Sequence, residues 1–160
     1  MVKLIISFGM IGFIRPASGT WGSLAAIPAA WGIFAIGSWP LLALACFLVT
    51  GLGWWATAQY IAGAPDHDPS EVVIDEVAGQ WLALLPVAIG ASHSGADFWA
   101  LWPGVLTAFL AFRALDIWKP GPVGWADRKD GALGVMLDDV LAGFGAAVIV
   151  LIGAWIAHGS

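Results

Sequence analysis

Charged residues are scarce in this sequence. Only 11% of its 160 residues are Asp, Glu, Lys or Arg, whereas 60% are hydrophobic. A soluble domain usually carries about 25% charged residues. The apolar surface therefore exceeds what one small water-soluble core can hide. The composition excludes an ordinary soluble domain and predicts a chain that is embedded in a lipid bilayer.

Cysteine and basic residues are also few. The single cysteine, Cys46, lies in an apolar run, and one cysteine cannot form a disulfide within the chain. Six Lys and Arg residues are outnumbered by eleven Asp and Glu residues, which gives a net charge of -5. Nucleic-acid binding needs basic residues that neutralise phosphates. The charge therefore excludes a nucleic-acid partner.

Apolar runs separated by polar segments predict an all-α bundle of about five membrane-spanning helices, in one domain that covers residues 1–160. A helix needs about 20 apolar residues to cross a bilayer. Residues 1–14 contain one lysine and are expected to form an interfacial segment. A Gly-Ser-Trp-Pro turn at residues 37–40 separates the first two spans. The spans are expected at residues 21–36, 41–61, 77–91, 98–115 and 140–156.

The charges segregate to one side of this predicted topology. With Lys3 and Arg15 in the cytoplasm, five spans place the polar loops at residues 63–71 and 116–139 on the cytoplasmic side too. Only Asp97 among the eleven acids then faces the other side. The positive-inside rule supports this orientation, because the remaining basic residues also face the cytoplasm. These are Arg113, Lys119, Arg128 and Lys129.

Acidic residues lie at the predicted cytoplasmic ends of three different spans. They are the pairs Asp75-Glu76 and Asp138-Asp139, together with Asp116. Carboxylates at membrane depth are costly and are therefore candidates for function. Either pair alone would also suit a helix N-terminus, with Asp75 or Asp138 as the cap. Three acidic positions on one face instead favour a shared cation, and all-oxygen ligands favour Mg²⁺ over zinc. These five acids are the candidate metal ligands and catalytic residues.

The two acidic pairs share a local pattern that bears on helix packing. Gly79 and Gly143 each follow an acid by four residues and so lie on the same helix face as that acid. Glycine lets another backbone come close. We therefore expect close helix contacts beside both acidic pairs.

Basic and hydroxyl side chains near the same face are candidates for phosphate binding. Arg113 and Asp116 are three residues apart and share a helix face, which suits contacts with a phosphate and a metal respectively. The segment at residues 19–23 offers hydroxyls beside glycines that permit close approach of a phosphate. The candidate phosphate-binding residues are Arg113, Lys119, Arg128, Thr20 and Ser23.

The sequence offers no nucleophile in a pattern typical of covalent phosphatases. It has no Cys-x5-Arg loop and no Asp-x-Asp-x-Thr motif, and His67 is interpreted as a solvated loop residue. Hydrolysis by metal-activated water is then the simplest mechanism.

A transporter or magnesium channel is the rival class, but it needs polar groups at mid-depth, where the spans offer only scattered Ser, Thr and Gln. A phosphatase for another phosphorylated substrate is the enzymatic alternative.

Four segments follow one another in order along the chain: PASGTWGSL at residues 16–24, VIDEVAG at 73–79, FRALDIWKPGP at 112–122 and DRKDGALGVMLDDVLAG at 127–143. In these segments the chain resembles the phosphatidylglycerophosphatase A family. The resemblance implies an integral protein of the bacterial inner membrane. Together with the predicted spans and the segregated charges, it predicts a multi-pass protein whose active site faces the cytoplasm. It also implies a Mg²⁺-dependent phosphatase that acts on a membrane phospholipid, converting phosphatidylglycerophosphate to phosphatidylglycerol.

The resemblance also carries over site residues. Lys119 matches a Lys-Pro-x-Pro element of the family, whereas Ala17, Gly121 and Ala132 depart from the usual residues and concern loop shape. The residues that carry over position by position are Asp75, Glu76, Asp116, Asp127, Arg128, Asp138 and Asp139.

Overall fold

The computed structural model describes residues 1–62 and 69–158, except for the side chain of His158. Within those ranges every regular element is helical, which confirms the predicted all-α class. Two 3-10 turns, Ile11–Phe13 and Phe98–Leu101, accompany the α-helices. The helices are α1 (Val2–Ile6), α2 (Ser18–Ile61), α3 (Ile74–Ser94), α4 (Trp102–Trp118), α5 (Pro122–Asp127) and α6 (Ala132–His158).

Four helical segments are long and apolar enough to cross a membrane, namely α2, α3, Phe98–Trp118 and α6. The helix α2 contains both of the first two predicted spans. Its backbone leaves the helical conformation at Gly37 and Ser38, inside the predicted turn. The prediction of a helix bundle whose long helices could span a membrane is therefore confirmed.

The two limbs of α2 run in opposite directions along α3. In the first limb, the carbonyl of Ala26 accepts a hydrogen bond from the indole of Trp81. At the turn, the hydroxyls of Ser38 and Ser92 lie 2.6 Å apart. In the second limb, the thiol of Cys46 donates to the carbonyl of Ala78, back near the start of α3. The chain therefore folds back on itself at residues 37 and 38.

The helix α3 is the centre of the bundle. In its most apolar stretch 67% of the residues are buried, compared with 17–28% in the other three long segments. The outer helices expose large apolar side chains such as Phe47, Phe144 and Trp155. In water this exposure would cost roughly 25 cal/mol per Å² of apolar surface. A hydrocarbon surrounding removes that cost.

The N-terminal segment packs on the end of the bundle where α3 begins. Ile6 and Ser7 are fully buried, and the carbonyl of Ile6 accepts a 2.8 Å hydrogen bond from the amide of Val73. These contacts fix residues 1–14 beside the acidic end of α3.

The predicted loop at residues 116–139 is wrong. The helix α4 continues to Trp118, α5 lies inside the predicted loop, and α6 begins at Ala132. Asp138 and Asp139 therefore lie in the second turn of α6, so Asp138 is not an N-cap. Residues 132–137 are mostly good helix formers, which extends the helix before the acids. Of the other predicted loop, residues 63–68 lie outside the described residues, and His67 is among them.

Candidate active site

The site is built on a close crossing of α3 and α6. A Cβ atom on Gly143 would lie 2.3 Å from the carbonyl oxygen of Gly79. A Cβ atom on Gly79 would lie 2.6 Å from the carbonyl oxygen of Asp139. Real Cβ atoms do not approach this closely, so the crossing requires glycine on both helices. The predicted close contacts are confirmed, and they place the two acidic pairs side by side.

The five candidate acids meet at this end of the bundle. One carboxylate oxygen from each of Asp75, Glu76 and Asp139 lies within 4.8 Å of the other two. A second set with the same spacing consists of Asp116, Asp138 and Asp139. Since Asp139 belongs to both sets, the acids of α3, α4 and α6 form one continuous cluster. The structure thus brings together all of the predicted acids, and their chemical roles stay predictions.

The cluster opens into a cavity of about 410 Å³, which we call the acid cavity. Its lining comes from the starts of α2, α3 and α6, the end of α4, and the segment around α5. The lining residues are Ser18, Ser70, Val72, Asp75, Glu76, Asp116, Lys119, Asp127, Lys129, Asp130, Gly131, Val135, Asp138 and Asp139.

Two basic residues neutralise part of the cluster. Arg113 forms a 2.6 Å ion pair with Asp116. The ammonium of Lys119 lies 2.9 Å from Asp138 and also pairs with Asp127. Burial lowers the pKa of Lys119, but its hydrogen bonds to the two carboxylates outweigh burial and raise that pKa above its usual range. Lys119 therefore stays charged and fixes Asp138.

The other acids have no such partner. Asp75 is 7% exposed and Asp139 is 3% exposed, and no ion pair reaches either of them or Glu76 among the residues that the structure describes. A buried charge needs a partner to offset the loss of hydration. Oxygen ligands at this spacing suit a hard divalent cation. Asp75, Glu76, Asp116, Asp138 and Asp139 are the residues able to hold one.

The start of α2 closes one wall of the site. A Cβ atom on Gly19 would lie 2.0 Å from a carboxylate oxygen of Glu76, so a larger residue there would push the Glu76 side chain aside. The hydroxyl of Ser23 accepts a 3.4 Å hydrogen bond from Arg113. Thr20 is half-buried and lies outside the lining of the acid cavity. Ser18, which the sequence pattern does not single out, lines the cavity at the beginning of this helix.

The short helix α5 places further charges at the cavity rim. Lys129 lines the cavity, with its ammonium 4.0 Å from the centre of the Trp125 ring. Arg128 is exposed at the end of α5 and lies outside the lining, so its proposed phosphate contact stays a prediction. Asp130 also lines the cavity and was not selected from the sequence. The feature that could have indicated Asp130 is its position next to Lys129 in the DRKDG motif at residues 127–131.

Comparison with known proteins identifies relatives over almost the whole chain. The family model described as Phosphatidylglycerophosphatase A matches residues 4–154. Phosphatidylglycerophosphatase A of Escherichia coli (strain K12) is 34% identical over 152 residues, which is 94% of this chain and 81% of that protein. The protein of the same name from Haemophilus influenzae is 35% identical over 153 residues, covering 92% and 84% of the two chains.

A third relative carries a different name. A putative phosphatidylinositol-3-phosphatase of Bacteroides thetaiotaomicron is 38% identical over 109 residues, which is 68% of this chain and 63% of that protein. No solved structure matches the chain. The family match covers every residue that lines the acid cavity. The chain therefore belongs to the phosphatidylglycerophosphatase A family.

Proposed function

We propose that the chain is a Mg²⁺-dependent lipid phosphatase of glycerophospholipid biosynthesis. It hydrolyses the terminal phosphomonoester of phosphatidylglycerophosphate and yields phosphatidylglycerol and inorganic phosphate. Its family membership makes it an enzyme of the phosphoric monoester hydrolase class. The observation that carries the proposal is the meeting of carboxylates from α3, α4 and α6 around one cavity at the end of an apolar bundle.

The position of the acid cavity suits a lipid substrate. The exposed apolar surfaces of α2 and α6 lie against acyl chains, and the acid cavity opens at the end of the bundle, where a head group would reach it. The N-terminal segment with Lys3 and Arg15 packs at this same end, through the hydrogen bond from Val73 to Ile6. Basic residues favour the cytoplasmic side. We therefore assign the cavity to the cytoplasmic face of a bacterial inner membrane.

The donor set fits Mg²⁺, which binds oxygen ligands and keeps part of its water shell. Asp75, Glu76, Asp116, Asp138 and Asp139 would hold the cation. When bound, a divalent cation supplies Lewis-acid stabilisation of phosphate charge and activation of water. Glu76 offers a carboxylate oxygen that is shielded from solvent and has no hydrogen-bond partner among the described residues. A bound cation would give that oxygen the partner it lacks.

The chain's own residues perform the remaining tasks. Lys119 holds Asp138, and Arg113 holds Asp116, so both carboxylates keep a fixed orientation. Lys129 at the rim attracts the anionic head group. Water attacks phosphorus as the bond between phosphorus and the glycerol oxygen breaks. A cavity carboxylate such as Asp116 accepts the proton that water releases, and that proton is passed on to the departing glycerol oxygen. The products are an alcohol, which stays on the lipid, and inorganic phosphate.

Phosphate release by the purified protein tests this proposal. With phosphatidylglycerophosphate and Mg²⁺ we expect turnover that EDTA abolishes and added Mg²⁺ restores. The Asp75→Asn variant, purified in the same detergent, should show no release although its helix content is unchanged. Full turnover in EDTA would overturn the Mg²⁺ requirement. The absence of any release from the wild-type protein would overturn the phosphatase assignment.

The name of the Bacteroides relative favours one alternative substrate. The same assay should therefore include phosphatidylinositol 3-phosphate and a soluble phosphomonoester at equal concentrations. We expect phosphatidylglycerophosphate to give the highest kcat/KM. A higher kcat/KM for the inositol lipid would show that phosphatidylinositol 3-phosphate is the preferred substrate instead. Measurement of Mg²⁺ flux into vesicles tests the channel alternative, for which the proposal predicts no flux.

A further inference from the structure

We propose that the acid cavity binds two divalent cations and that Asp139 is shared between their sites. This inference rests on the proposed function, because it concerns the metal content of the same cavity. One cation site consists of Asp75, Glu76 and Asp139, and the other of Asp116, Asp138 and Asp139. Each set offers three carboxylate oxygens within 4.8 Å of one another.

The geometry supplies the first argument. Three oxygen ligands from protein suffice for Mg²⁺ or Mn²⁺, because water and substrate complete the coordination. Paired cations in phosphatases and nucleases lie about 3.5–4 Å apart, a separation that one carboxylate can span with its two oxygens. Asp139 has this position, because it is common to both sets and almost fully buried between α3, α4 and α6. The close crossing at Gly79 and Gly143 holds it there.

The balance of charge supplies the second argument. Seven of the residues that line the acid cavity are Asp or Glu and two are Lys, and Arg113 pairs with one of the acids. When all of these groups are ionised, as cation binding requires, four negative charges remain in excess. A single divalent cation would leave a negative cavity, which repels a phosphate monoester of about -2 charge. Two divalent cations neutralise the cavity and make it a receptor for that dianion.

An oxygen without a partner supplies the third argument. The Oε2 atom of Glu76 is shielded from solvent and has no hydrogen-bond partner in the described part of the chain. Its neighbour Asp75 is also buried, whereas Asp138 and Asp116 of the other set are already held by Lys119 and Arg113. A cation held only by the second set would leave Glu76 unsatisfied. The first set therefore needs a cation of its own.

Manganese binding to the detergent-purified protein tests the inference. Mn²⁺ replaces Mg²⁺ at oxygen sites and is detected by electron paramagnetic resonance without any turnover. We expect two Mn²⁺ ions per chain, displaced by excess Mg²⁺, and a signal from exchange coupling between the two ions. A wild-type protein that binds one Mn²⁺, or two without coupling, would overturn the shared site.

Three variants and a control assign the two sites. Glu76→Gln and Asp116→Asn should each bind one Mn²⁺ with an uncoupled signal, since each removes one set. Asp139→Asn should weaken both sites by at least about 10-fold. Asp97→Asn is the control, because Asp97 caps the 3-10 turn Phe98–Leu101, outside the acid cavity and outside both sets, and it should bind two ions. Two coupled ions in Asp139→Asn would refute the inference.

The outcome separates this inference from the proposed function. Phosphate release by a protein that binds one Mn²⁺ would refute the shared site and leave the proposed function intact. Two coupled ions without phosphate release from any phosphorylated lipid would refute the proposed function instead. Circular dichroism of each variant identifies loss of folding. If Asp139→Asn does not fold, Asp139→Ser, which also removes the carboxylate, replaces it with the same expected weakening of both sites.

Discussion

The two ends of the bundle hold cavities of similar size and opposite character. The acid cavity has a volume of about 410 Å³, and a second cavity at the far end, between α3, α4 and α6, has about 520 Å³. Small and apolar residues such as Gly90, Leu101 and Ala154 line the far cavity, where Ser94 and Thr107 supply hydroxyls. Volume therefore does not distinguish the site. The clustered carboxylates distinguish the functional site, because charged groups at membrane depth are energetically costly unless they bind a partner of opposite charge.

The sharpest test of this contrast is removal of a shared carboxylate. Asp139→Asn should lower kcat/KM for phosphatidylglycerophosphate at least about 100-fold, because loss of even an outer-shell partner of a metal ligand costs about 10- to 100-fold. Membrane insertion and helix content should stay unchanged. Phosphate release and circular dichroism measure the two quantities. Turnover by the variant at the wild-type rate would show that Asp139 is not part of the active site.

A substitution at the crossing of α3 and α6 should cause the next largest loss of activity. In Gly143→Ala the new Cβ would lie 2.3 Å from the carbonyl of Gly79, so α3 and α6 must separate. Overpacking costs about 1–3 kcal/mol, and a displacement near 1 Å reduces catalysis up to about 100-fold. We expect at least about a 10-fold loss of kcat. The matched control is Gly153→Ala on the same helix, where nothing lies within 4 Å. Equal rates for the two variants would contradict the account.

Lys119 gives a smaller effect with a defined pH dependence. Lys119→Met should lower kcat/KM by about 10-fold, because it frees Asp138 from its ion pair. The raised pKa means that the contribution of Lys119 is fully present below the usual lysine value of about 10.4 and is lost only as the pH rises through the higher folded value. The rate ratio of wild type to variant should thus be the same at pH 7 and pH 9. A ratio that falls to one by pH 9 would contradict the assigned charge.

The far end should give the smallest effect. Ser92→Ala removes the hydrogen bond between Ser38 and Ser92 and should lower the free energy of unfolding by about 1 kcal/mol. Phosphate release should stay within about two-fold of wild type. A loss above about 10-fold would show that catalysis depends on both ends of the bundle.

The sequence predicted the features that depend on membrane energetics. Scarce charge, the apolar runs and the positive-inside rule predicted a helical bundle with its acids on one face, and the glycine positions predicted the close crossing. The turn at residues 37–40 was also located correctly, since Gly37 and Ser38 leave the helical conformation.

Features that depend on tertiary partners were not predictable in this way. Asp138 and Asp139 end an apparent polar loop in the sequence, yet they lie inside α6. The ion pair between Asp138 and Lys119 offsets part of the cost of burying these acids, and a sequence pattern does not contain that tertiary partner. The sequence indicated Thr20 as a phosphate-binding residue, whereas the structure places Ser18 in the lining of the acid cavity. Which side chain of the first turn faces the cavity depends on how α2 packs against α3, and the sequence does not specify that packing.

The central claim is that acids from α3, α4 and α6 act as one site, and a double-variant comparison tests it most directly. Glu76→Asp and Asp139→Glu keep their charges and should leave measurable phosphate release. If the two residues share a site, the rate of the double variant should differ from the product of the two single effects by more than about five-fold, a coupling of about 1 kcal/mol. Single effects that multiply to within about two-fold would show independent residues and contradict the shared site.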